Sequence, residues 1–118
     1  VPEFLYVTAD EKGMALVLRN LISNAVKYAP PGKAVKLRAF SEKRRVVVEV
    51  FNEGPPVAER DLPYLWDAFY RAEESRTREN GGSGMGLAIV KAVLDQHRAR
   101  YGVYNKSGGV YFWFSLPS

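Results

Sequence analysis

Apolar residues recur at helical spacing in the first third of the chain. Met14, Val17, Leu18, Leu21, Ile22 and Ala25 fall on one side of a helical wheel and predict an amphipathic helix. Thr8, with Glu11 three residues on, forms a capping-box pattern at its expected start. Pro30-Pro31-Gly32 stops it just after Tyr28. Ahead of it, Phe4 to Val7 reads as a short strand. Val35, Leu37 and Ala39 alternate with Lys36 and Arg38, which predicts a strand with one wet face, and Val46 to Phe51 predicts its partner. A short helix is expected around residues 58–69, limited by Pro63. A charged loop then runs to Ser83, followed by an apolar helix from Gly84 to about Gln96. Tyr101 to Asn105 and Val110 to Leu116 predict a hairpin across Lys106-Ser107-Gly108-Gly109. The sum is an α+β fold: a two-layer α/β sandwich whose mixed sheet of about five strands carries about three helices on one face.

Polar residues interrupt this pattern in three places. Asn20 and Asn24 sit inside the first helix, where Asn is a poor helix former. At about 100° per residue, Asn20, Asn24 and Lys27 share an arc of roughly 60° beside the apolar face. Two amides and an ammonium on one edge suit a metal-chelated polyphosphate, because an amide oxygen can ligate Mg²⁺ and a lysine can neutralise phosphate. Solvated or locally bonded amides explain that edge equally well. Second, Gly81-Gly82-Ser83-Gly84-Met85-Gly86-Leu87 is a glycine-rich loop that opens a helix, an arrangement that can cradle an anion or simply connect elements. It is not a Walker loop, since Leu87-Ala88 follows Gly86. It is not a dinucleotide fingerprint either, since residues 71–80 are charged and loop-like. Third, the strand ending at Phe51 runs into Asn52-Glu53-Gly54-Pro55-Pro56-Val57. This is a turn first of all, and one that also places an amide where it could meet a base edge.

Taken together and in order, these segments resemble the nucleotide-binding boxes of the catalytic ATP-binding domain of sensor histidine kinases, a member of the Bergerat-fold superfamily. Asn20 to Tyr28 resembles the N box, and Asn52 to Val57 the first glycine box. Phe69-Tyr70-Arg71 resembles the F box, Gly82 to Leu87 the second glycine box, and Gly109 to Pro117 the last strand of that fold. The resemblance covers nearly the whole chain. It implies that Asn24 ligates Mg²⁺, that Asn20 and Lys27 lie along the phosphates of ATP, and that Tyr28 lies near the ribose or base. By the same resemblance Asn52, Gly54 and Val57 belong to the base site. Phe69, Arg71, Ser83, Gly84, Gly86 and Leu87 belong to the lid and the phosphate loop. Three positions depart from the family pattern. Asn52 stands where an Asp is usual, Pro56 replaces a Gly, and Val110 replaces a Thr. An amide at Asn52 still accepts a hydrogen bond, without charge.

The resemblance further implies phosphoryl transfer to a histidine on a neighbouring helical domain of the same protein, and from there to a response regulator. The parent would be a membrane-anchored homodimer with this portion in the cytoplasm, and the fragment itself a monomer. Residues 1–118 would be the catalytic domain alone, without acceptor or sensor domains; the start at Val1-Pro2, lacking Met, points the same way. Rival readings are an ATPase of the same superfamily, an anti-sigma-factor serine kinase and a degenerate module that binds no nucleotide. Asn20 stands where the ATPases carry a water-activating Glu, which argues against the first.

Composition adds limits. A chain of 118 residues, 47% hydrophobic and 25% charged, suits one globular domain. It has no cysteine, hence neither disulfide nor thiolate metal site, in keeping with a cytosolic setting. No apolar run reaches the roughly 18 residues of a membrane span. The net charge of +4 allows nucleic-acid binding in principle, but the only basic run, Lys43-Arg44-Arg45, reads as a solvated hairpin tip, so no nucleic-acid partner is expected. Arg71, Arg76 and Arg78 fall where the resembling family has its ATP lid, and phosphate contact is expected of one of them, unless acidic Glu73, Glu74 and Glu79 simply pair with them. The sole histidine, His97, is followed by Arg98 rather than an acid, so it is expected to be structural and not a phosphoacceptor.

Overall fold

The structure, a computed structural model, describes residues 9–67, 86–106 and 108–117. Helix α1 spans Glu11–Tyr28, strand β1 Val35–Glu42, strand β2 Arg45–Glu53, helix α2 Gly86–Gln96, strand β3 Arg100–Lys106 and strand β4 Gly109–Pro117. The four strands form an antiparallel sheet in the order β1-β2-β4-β3. The further strand expected at Phe4 to Val7 lies outside the described residues, so the described part of the sheet is antiparallel rather than mixed.

Alternation along the strands divides the sheet into two faces. Val46, Val48 and Val50 of β2 pair with Leu116, Phe114 and Phe112 of β4, and this face meets the helices. From α1 come Val17, Leu21 and Ala25, from α2 Val90 and Leu94, all buried in one cluster with the strand residues. The apolar face read from the first helix is therefore the core face, with Ile22 left exposed at its margin. Strand β1 departs from its expected half-buried pattern. It is an edge strand, and Leu37 on its inner side is 54% exposed.

Two helix boundaries also differ from the sequence reading. The cap of α1 is Asp10, not Thr8: its carboxylate accepts from the Gly13 N–H at 2.7 Å. Aspartate caps as well as threonine and is two residues nearer the apolar stripe. The helix expected over residues 58–69 is, within the described residues, a single 3₁₀ turn at Leu62–Tyr64. Pro63 has no N–H to extend it, and Leu65 and Trp66 turn straight into the core, Trp66 packing against Tyr101 and Phe112. The basic run behaves as expected. Lys43 and Arg44 take positive φ (50° and 61°) in a two-residue loop that joins Glu42 to its partner Arg45.

The two helices run antiparallel. Near the start of α1, a Cβ at Gly13 would lie 3.1 Å from Val93 of α2; near its middle, Asn20 meets Gly86 at the start of α2. Gly13 is tolerated mid-turn because it allows this close approach. His97 locks the same corner. The Asp10 N–H donates to its Nε2 at 2.9 Å, so Nδ1 carries the proton and donates to the Val93 carbonyl at 2.8 Å. Both ring nitrogens are thus committed to backbone groups.

Candidate functional site

The site is built where α1, α2 and one end of the sheet converge. Asn20 Nδ2 donates to the Leu16 carbonyl one turn back, at 2.8 Å. That bond answers part of the question of why an Asn sits mid-helix: half of its amide substitutes for solvent by bonding the backbone. It also fixes the other half. Asn20 Oδ1 points at the first turn of α2, 3.4 Å from where a Cβ on Gly86 would stand. Helix α2 starts at Gly86 among the described residues, and the start of a helix carries partial positive charge. Asn24 and Lys27, one and two turns further along α1, extend beyond the start of α2. Asn24 is half-buried and Lys27 exposed, and no partner engages the Asn24 amide among the described residues. Tyr28 is the last residue of the helix.

The turn after β2 closes the site from below. Asn52 lies on the helix side of the sheet, in register with Val35 on one neighbour and Val110 on the other. It is only 7% exposed, yet its side chain has no hydrogen-bond partner among the described residues. Its amide atoms keep some contact with solvent, so the amide stays open to a ligand at this strand end at little cost. Gly54 follows with φ +153°, and a Cβ there would come within 2.9 Å of Pro30, so the exit of α1 rests directly on this turn. Backbone bonds Glu53 N–H to the Ala34 carbonyl and Gly54 N–H to the Gly108 carbonyl, both 2.9 Å, hold it to its neighbours. Pro55 and Pro56 are exposed.

One residue that the sequence reading did not single out completes this turn. Asn105 on β3 accepts from the Val57 N–H at 3.0 Å and donates Nδ2–H to the Val57 carbonyl at 2.8 Å. It clamps both backbone groups of Val57, which packs half-buried against the core. An asparagine in a strand is unusual enough to flag, but only the register, which places Asn105 beside Val110 and so in the same row as Asn52, shows what it holds. Asn105→Ala should lower stability by about 1–3 kcal/mol, the cost of two bonds to half-buried backbone groups. Asn105→Asp, which keeps the acceptor and loses the donor, should fall between. Urea titration of the three proteins measures both.

The sequence-predicted residues therefore divide as follows. Asn20, Asn24, Lys27, Gly86 and Leu87 come together along the α1–α2 junction, with Leu87 packed against the core rather than open to the cleft. Asn52, Gly54 and Val57 form the turn below. Phe69, Arg71, Ser83 and Gly84 lie outside the described residues, as do Arg76 and Arg78. Among the described residues no three histidines, cysteines or acids gather as a metal cage. A single amide oxygen such as that of Asn24 fits an ion that arrives on its substrate, the usual habit of Mg²⁺, which keeps waters and phosphate oxygens as most of its ligands.

A two-layer sandwich with an amide row beside the start of a helix is an arrangement that suits an anionic ligand such as a nucleotide. The chain belongs to the histidine kinase-, DNA gyrase B-, and HSP90-like ATPase family, whose model matches residues 9–118. The sensor histidine kinase CusS of Escherichia coli O157:H7 is 41% identical over 111 residues, covering 94% of this chain and 23% of the relative. Full-length ShkA, solved in complex with AMPPNP, superposes with a TM-score of 0.77 at 32% identity over 92% of this chain and 22% of its own. The histidine kinase ThkA, solved with the response regulator TrrA, gives 0.79 at 28% identity, covering 98% of this chain and 31% of ThkA. The chain thus spans about a quarter of the length of the curated relative it matches. No described helix is long and apolar enough to cross a membrane.

Proposed function

We propose that this chain is the catalytic ATP-binding domain of a sensor histidine kinase. It binds Mg-ATP at the α1–α2 junction and presents the γ-phosphoryl group to a histidine on a neighbouring helical domain of the same protein, from which a response regulator receives it. The observation that carries this reading is the placement of Asn20 Oδ1 against Gly86. It aligns the amide row of α1 with the anion-attracting end of α2. Asn24 is the protein ligand of Mg²⁺ and Lys27 a counter-charge for phosphate. Bound there, Mg²⁺ would spread the charge of the transferring group. Asn20 is an amide anchored to Leu16, so it cannot take a proton from water. That favours transfer to an acceptor over hydrolysis. Asn52 accepts from the adenine amino group as a neutral acceptor. Residues 1–118 make up this one domain, within a membrane-anchored homodimeric parent whose kinase portion is cytoplasmic.

The AMPPNP complex of ShkA and the regulator complex of ThkA support the two ends of this scheme. Titration calorimetry with Mg-ATP, repeated in EDTA, tests its core. Saturable binding that weakens when the metal is removed is the expected result; no binding in either buffer would reduce the chain to an interaction module. His97 should take no part. Incubation with γ-labelled ATP should leave the isolated chain without acid-labile label, whereas label lost in His97→Ala would make this histidine an acceptor.

A further inference from the structure

The face of the sheet that carries no helix is not a blank surface. Its side chains line up in rows across all four strands. Lys36, Phe51, Tyr111 and Tyr104 are successive cross-strand partners, and so are Arg38, Glu49, Trp113 and Gly102. The rings of Tyr104 and Tyr111 stack at 4.9 Å, and Phe51 tilts against Tyr111 at 4.7 Å. Beneath them Glu49 is buried. Its Oε1 accepts two bonds from Arg38, and its Oε2 accepts from the Tyr104 hydroxyl at 2.8 Å. This internal pairing offsets the Glu49 charge and leaves Glu53 as the other carboxylate of the groove. That groove, of about 460 Å³, runs above Glu49, with Lys36 at the β1 end and Lys106 at the β3 end. Both lysines are exposed and make no ion pair among the described residues, while Arg38 keeps 67% of its side chain exposed despite its bond to Glu49.

We infer that this groove is a docking site for an acidic, aromatic- or leucine-bearing segment of a partner protein, separate from the nucleotide site. The geometry selects an extended chain. Three strand spacings of about 4.8 Å make the groove roughly 14 Å long, the reach of about four or five extended residues. A single ring would leave one lysine unmet. Charge selects acid at both ends and an apolar side chain between, set on the Phe51–Tyr111 rings. A nucleic-acid strand offers stacking too, but its evenly repeated phosphates would run past Glu53, whose carboxylate lies in the same groove and accepts from the Ala34 N–H at 2.9 Å. A peptide backbone brings N–H donors to that carboxylate instead.

The test uses fluorescence anisotropy with the whole chain and a fluorescein-labelled peptide, Glu-Glu-Phe-Phe-Glu-Glu. Its glutamine counterpart and an eight-residue thymidine oligonucleotide are run beside it. The acidic peptide should bind, more weakly at high salt. The double charge reversal Lys36→Glu with Lys106→Glu should weaken it at least tenfold while leaving the melting curve and Mg-ATP affinity as in the parent, since neither lysine touches the nucleotide site. Equal binding of the glutamine peptide would show mere apolar adhesion and overturn the proposal. Tighter binding of the oligonucleotide, lost in the same reversal, would assign the groove to phosphate backbones and overturn it as well. So would acidic-peptide affinity that ignores the reversal, or no binding by any probe.

Discussion

Replacing Asn24 with alanine should leave the fold intact and remove at least a tenfold share of Mg-ATP affinity, about 1.4 kcal/mol or more. The fold survives because Asn24 is half-buried, engages no partner among the described residues, and stands on a helix held by Val17, Leu21 and Ala25. Alanine is also the better helix former, by a few tenths of a kcal/mol. Affinity falls because the side chain sits one turn past the point where Asn20 meets the start of α2, on the edge along which the phosphates would lie. The loss should be specific to the metal-bearing nucleotide. In EDTA the parent and Asn24→Ala should bind ATP alike, since the missing oxygen is a metal ligand and not a phosphate contact. Calorimetric titration of both proteins with and without Mg²⁺ decides it, and equal Mg-ATP affinities would remove Asn24 from the site.

The helix-free face makes a separate, pH-dependent prediction. Burial and the hydrogen bond to Glu49 push the Tyr104 hydroxyl up to about 12. A tyrosine whose folded pKa is raised holds its proton while the unfolded chain, near 10, has lost it. The native state then binds more protons than the unfolded state, so stability is unaffected below about pH 10 and declines as pH rises from there towards 12. Tyr104→Phe should remove a late-titrating component of the alkaline absorbance change at 295 nm and flatten that decline.

How far the sequence carried this picture depended on which kind of information each element needed. Periodicity placed α1, the β1–β2 hairpin and the closing hairpin because each is decided by local alternation and by turn residues such as Pro30 and Gly108. It misplaced the start of α1 because Thr8 and Asp10 both satisfy local capping rules, and the choice belongs to His97 and Val93 of α2, over eighty residues away. It read a helix around residues 58–69 because nothing local reveals that Trp66 is needed between Tyr101 and Phe112. The amide row of α1 was legible as a helix edge. That Asn20 faces Gly86 was not, since it depends on the antiparallel docking of two helices. Asn105 and the Arg38–Glu49–Tyr104 set were invisible for the same reason: each is a relation between strands, fixed only by register.

The largest structural effect should come from a single methyl group. Gly109→Ala is expected to destabilise the chain by about 3 kcal/mol, near the upper end of overpacking costs. Gly109 opens β4 opposite Glu53, and a Cβ on it would overlap both the Phe51 ring and the Asn52 carbonyl oxygen. The ring could swing aside only by leaving Tyr111; the carbonyl belongs to a paired strand and cannot. The neighbouring glycine provides the contrast. Gly108 has φ +87° and nothing within 4 Å of its Cβ position, so Gly108→Ala pays only for left-handed backbone, about 1–2 kcal/mol. Trimming the ring in Gly109→Ala with Phe51→Leu should restore part of the loss, because one of the two overlaps is gone, though the Asn52 carbonyl remains in the way. Urea unfolding of these four proteins and of Phe51→Leu gives the order: parent, then Gly108→Ala, then Gly109→Ala as the weakest, with the double variant less destabilised than the sum of its two single changes. A Gly109→Ala protein as stable as Gly108→Ala would mean that β4 yields at this point. The Asn52 strand end would then be softer than its register with Val35 and Val110 implies, and base recognition by Asn52 would lose its rigid support.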